Sequence, residues 1–117
     1  MYKQTNAHYK DITNDVRNYI DHIARNSTRL EDQEVRIKLD DKNRQLHHYV
    51  RLFRNHAERD DFETSLIMLA MTRNNIYKYV ARALLAGVDF DISQAANLLA
   101  RIENYSYTQR VMQSIKE

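Results

Sequence analysis

The residues able to do chemistry gather in one stretch of this chain. From Lys42 to Ala57 there is no acidic residue, yet Lys42, Arg44, Arg51 and Arg54 occur there with His47, His48 and His56. On a helix, Arg44, His48, Arg51 and Asn55 follow one another at four, three and four, and so share a face. Arg54 borders that face, while Leu46, Val50 and Phe53 point elsewhere. An acid-free basic stripe can hold phosphates, with the histidines adding charge as the pH falls toward 6. It can equally dock an acidic protein surface and speed the encounter. Arg44, His48, Arg51 and Arg54 are therefore the candidate binding residues. A protein partner is the first expectation, and DNA or RNA held by the basic segment 36–54 is the alternative. The bland reading is a solvated face that binds nothing.

Other chemistries find less support. A carboxylate metal site in a helical bundle uses Glu-x-x-His pairs, and neither that spacing nor H-E-x-x-H occurs in the chain. His47 and His48 are adjacent, so on a helix they point about 100° apart. The single glycine cannot build a phosphate-cradling loop of the usual kind, and there is no cysteine for thiolate chemistry. Neither a metal nor a cofactor is expected, and the chain reads as a non-enzyme. Arg51-Leu52-Phe53-Arg54-Asn55-His56 has the Arg-x4-His spacing and in that respect resembles the HEPN-type ribonucleases, which are small helical proteins. The resemblance covers those residues alone and implies RNA cleavage. With 12 arginines and 5 histidines in the chain, one such pair is expected by chance.

The elements that must carry this stripe are helices. Zero proline and one glycine in 117 residues leave few places to turn. Tyr9, Ile12, Val16, Tyr19, Ile20 and Ile23 recur three or four apart, predicting an amphipathic helix over about 8–26. Thr28-Arg29-Leu30-Glu31 reads as a capping box that opens a second helix over about 29–58. Asp60-Asp61-Phe62-Glu63 and Asp91-Ile92-Ser93-Gln94 repeat that chemistry ahead of helices at about 61–86 and 92–116. Gly87 falls where a helix end needs a left-handed residue. Short connections between rods of similar length predict one domain over 1–117, an all-α antiparallel four-helix bundle.

The third segment is the most apolar, with Leu66 to Met71 unbroken. A helix apolar around its circumference must be covered on most sides, so the others are expected to pack around it, with a homodimer supplying further cover. Arg73 falls on its apolar stripe and needs a partner, either a tyrosine hydroxyl or a carboxylate on a neighbouring helix. Tyr77 and Tyr79 cannot share a face, nor can Tyr105 and Tyr107, so some of the eight tyrosines are expected at the surface. Exposed Tyr and Arg are the composition of protein interfaces.

One segment competes with this reading. In Glu34-Val35-Arg36-Ile37-Lys38-Leu39-Asp40 the apolar residues alternate, which is a strand signal. A strand at 34–40 followed by two helical stretches resembles the ribbon-helix-helix DNA-binding proteins. That resemblance covers about 35–71 and implies a dimer whose paired strands enter the major groove. The short glycine-containing turn of that family is replaced here by HAERDDFET. The helical reading is preferred, because Val35, Leu39, Leu46, Val50, Phe53 and Ala57 also keep helical spacing.

Net charge is only +2, so it says little about partners. Of the 18 basic residues 12 are arginine, which suits planar, bidentate contacts. The first residues, MYKQTNAHYK, lack a signal peptide's apolar core, and no run approaches the roughly 18 apolar residues of a membrane span. A cytoplasmic protein with no membrane contact is expected.

Overall fold

Where each helix starts and stops follows from local hydrogen bonding. In the computed structural model, which describes residues 8–116, α1 spans Tyr9–Ser27, α2 Gln33–Glu58, α3 Phe62–Leu85 and α4 Ile92–Lys116. No strand occurs among the described residues. The expected capping box at Thr28 is not used. Thr28 Oγ1 donates back to the Arg25 carbonyl at 2.8 Å and closes α1. Asp32 caps α2 instead, its Oδ1 accepting from the Glu34 and Val35 amides at 3.0 and 3.3 Å. Asp32 lies next to the first residue of α2, whereas Thr28 lies five residues before it. Asp61 rather than Asp60 caps α3, accepting from the Thr64 amide at 3.4 Å.

Asp60 takes the other half of that turn, with φ of 59°. The Asp61 amide reaches the His56 carbonyl and the Asp60 amide the Ala57 carbonyl, a left-handed helix stop made without glycine. Gly87 makes the same stop after α3 at φ 82°, with the Val88 amide on the Ala83 carbonyl at 3.0 Å. Asp91 opens α4 as expected, accepting from the Ser93 amide at 3.0 Å.

The four helices form an antiparallel bundle in which α1 packs on α2 and α4, and α3 packs on α2 and α4. The strand alternative at 34–40 is overturned, since those residues are the opening turns of α2. Leu39 is buried and Val35 half-buried, but Ile37, which a strand would have turned inward with them, is 53% exposed. A helix separates such alternating residues by about 200°, which resolves the conflict in favour of the longer period.

The core runs through the ring of helices: Val16, Ile20 and Ile23 from α1, Leu46, Val50 and Phe53 from α2, Leu69, Ile76 and Tyr79 from α3, Leu98 and Ile102 from α4. The Phe53 and Tyr105 rings meet edge to face at 5.6 Å. Two buried polar groups are satisfied within their own helix, Thr72 and Asn75 donating to the Met68 and Met71 carbonyls. Asn43 instead crosses to α1 and donates to the Ile20 carbonyl at 3.1 Å, fixing the register of α1 on α2.

The third helix is not the hub the sequence suggests. It occupies one corner of the ring, and its outer side leaves Ile67 54%, Tyr77 56%, Leu84 45% and Leu85 90% exposed. Its high apolar content arises because the outward residues are apolar too. Arg73 meets the expectation set for it: Nη1 donates to Glu103 Oε1 on α4 at 2.5 Å, at the rim of the core. Tyr79 and Tyr105 are buried while Tyr77 and Tyr107 are exposed, so each pair splits as its spacing requires. Tyr2 lies outside the described residues.

Candidate functional site

The stripe on α2 is real as a surface, but its members have different surroundings. Arg44, His48 and Arg51 are exposed on the outward side of the helix. Arg44 is held by Asp40 one turn earlier, Nη2 to Oδ2 at 2.8 Å, so its charge is already answered. His48 lies in the open with its ring beside that of Tyr49, at 5.9 Å. Arg54 is half-buried and turns away from Arg44 toward α1, where Lys10, Thr13, Asn14, Arg17, Arg54 and Glu58 line a notch of about 230 Å³. The four predicted residues therefore do not form one site. Arg51 and Arg54 belong to a second cluster, which α1 completes.

That cluster carries more positive than negative charge. Burial, then the guanidinium groups of Arg54 and Arg51, hold the Arg17 pKa below its ordinary value, and Asp21 only partly opposes them. Lys10, Arg17, Arg51 and Arg54 make no ion pair with any described residue, whereas Arg44, Arg73 and Arg101 each have a carboxylate. Arg54 Nε is shut off from solvent with no hydrogen-bond partner among the described residues. Two acids lie nearby without forming an ion pair to these cations. Asp21 Oδ1 lies 2.9 Å from His47 Nε2. Glu58 lines the notch beside the cations and also acts on the Tyr9 hydroxyl, whose pKa is raised by burial first and by Glu58 next. Like charges gathered at a half-buried place cost stability unless an anion joins them.

Sequence reasoning missed Lys10 and Arg17. Both were legible as residues off the apolar stripe of α1, and with Asn14 they recur at four and three, which is one face of a helix. The missing step was to ask which side of α2 that face would meet.

The remaining candidates have other employment. Five residues of helix separate the Arg51 and His56 side chains by about 140°. His56 Nδ1 sits 3.0 Å from Asp61 Oδ2, within the turn into α3. A larger cleft of about 420 Å³ lies between α1 and α4. There Arg101 is paired with Asp15, and the Tyr19 hydroxyl donates to the Asp91 carbonyl at 3.0 Å. No cluster of three His, Cys, Asp or Glu side chains suited to a metal occurs among the described residues. None of the described helices is long and apolar enough to cross a membrane. No family model, no curated protein and no solved structure matches the chain significantly.

Proposed function

We propose that this protein is a non-enzymatic helical interaction module that takes an acidic segment of a partner protein, in the cytoplasm. The partner's carboxylates would lie across the α1–α2 notch and the outward face of α2, against Lys10, Arg17, Arg51 and Arg54, with His48 and Arg44 at the margin. One observation carries the reading: Lys10, Arg17 and Arg54 line one notch with Arg51 beside Arg17, none of them in an ion pair with a described residue, and Arg17 and Arg54 are half-buried. A partner that supplies an anion relieves the repulsion and gains charge-assisted hydrogen bonds.

Acidic peptide pools and random duplex DNA, each titrated into the chain at rising salt, test it. Acidic peptides are expected to bind at low salt and duplex to bind poorly. A steep loss of duplex affinity with salt, over no peptide binding, would replace this reading by the nucleic-acid one. Absence of binding to either would end both.

Self-association is a second part of the proposal, favoured by Leu85, Ile67 and Leu84 standing exposed on α3. Apolar groups so placed mark contact surfaces. Sedimentation equilibrium is expected to show a dimer that Leu85→Lys weakens. A strictly monomeric chain at 100 μM, a concentration chosen for the test to be roughly that of a weak dimer's dissociation constant, would contradict it.

A further inference from the structure

We infer that the α1–α2 notch is shaped for a phosphate monoester carried on a partner's side chain, such as phosphoserine. This rests on the acidic-partner reading above and narrows it to one chemical group. Two guanidinium groups, Arg17 from α1 and Arg54 from α2, and the Lys10 ammonium line a space whose only carboxylate is Glu58, and Arg51 stands beside Arg17 at its edge. A carboxylate brings one charge and two coplanar oxygens, enough to saturate a single guanidinium fork. A phosphate monoester brings a charge of about −1.5 to −2 and three oxygens splayed in different directions. Guanidinium groups that approach from two different helices can engage different oxygens of one phosphate.

The lining also says what carries the phosphate. It holds no aromatic ring, so a nucleobase would have nothing to stack on. The Thr13 hydroxyl donates to the Tyr9 carbonyl at 2.7 Å and has no proton left to donate to a ligand. At about 230 Å³ the notch is smaller than the roughly 300 Å³ at which small-molecule pockets begin. It suits a headgroup whose remaining contacts lie outside, along the exposed Arg51 and His48 side of α2.

Three peptide pools with randomised acidic flanks, identical except for phosphoserine, glutamate or serine at the centre, are compared by fluorescence anisotropy against the full chain. The phosphoserine pool is expected to bind about tenfold tighter than the glutamate pool. Arg17→Ala and Arg54→Ala should each erase that preference while leaving the melting temperature within about 2 °C. Arg54→Lys, which keeps charge but loses the fork, should retain only part of it. Equal affinity for phosphoserine and glutamate, both above serine, would overturn the phosphate inference and leave the acidic-partner reading standing. Failure of all three pools would overturn both. Inorganic phosphate is titrated alone as a further arm, and binding by it as tight as the phosphoserine pool would make this a free-phosphate site and overturn the peptide-borne assignment.

Discussion

At the residue scale, the informative fact is that arginines of the same type stand in opposite circumstances. Arg73 and Arg101 each close a contact to α4 through a carboxylate, on Glu103 and Asp15. Arg17 and Arg54 sit half-buried with their charges facing each other across the groove between α1 and α2. If those two served the fold, removing either would be costly. The account expects the reverse. Arg54→Ala should leave stability within about 0.5 kcal/mol of wild type, or raise it slightly by easing repulsion on Arg17. A chemical denaturation series measures this directly, and a loss above about 2 kcal/mol would mark Arg54 as structural. Arg73 shows how far single residues were legible. Its place on an apolar stripe announced a partner on a neighbouring helix, and Glu103 is that partner. Arg54 was legible as a basic residue bordering the stripe but not as a neighbour of Arg17, because helical period assigns a side chain to a face and says nothing about which helix that face will meet.

At the element scale, four helices could be read from spacing and caps, with ends within one or two residues except at the start of α2. There the cap was expected at Thr28, and Asp32, four residues on, takes the role. Asp32 makes two bonds to orphan amides of α2, while Thr28 turns back onto α1. Asp32→Ala should therefore cost about 1 kcal/mol, and Thr28→Ala no more than about 0.5. Thermal melts of the two variants check the assignment, and a larger loss from Thr28→Ala would restore the capping box. The strand signal at 34–40 failed for a related reason. Alternation over so few residues is also produced by a helix whose exposed face happens to include one apolar side chain, and Ile37 is that side chain. The exposed apolar side of α3 was invisible for the converse reason, since a run such as Leu66–Met71 has no polar residues to say which way it faces.

At the scale of the whole molecule, the bundle holds several tyrosine hydroxyls where burial opposes ionisation. Burial pushes Tyr79 up to about 12, and burial together with Asp91 pushes Tyr19 up to about 12. Burial raises Tyr105 as well. The unfolded chain releases these protons near the ordinary 10, while the fold retains them. Their contribution is thus complete below about 10 and is lost as the pH climbs toward 12. Tyrosinate absorbance should rise in two stages, with the late stage coinciding with loss of helical circular dichroism. A single early stage, with helicity intact, would mean that the interior hydroxyls are open to water. The same ring of helices leaves its charge asymmetry on one side, where α1 and α2 meet, and the functional account stands on that asymmetry.

The most direct measurement is the affinity of the acidic peptide pool for wild type and for Arg17→Ala/Arg51→Ala/Arg54→Ala, each paired with a melting curve. The account predicts a loss of at least about tenfold in affinity with the melting temperature nearly unchanged. Unaltered affinity, or a bundle that no longer folds, would contradict it.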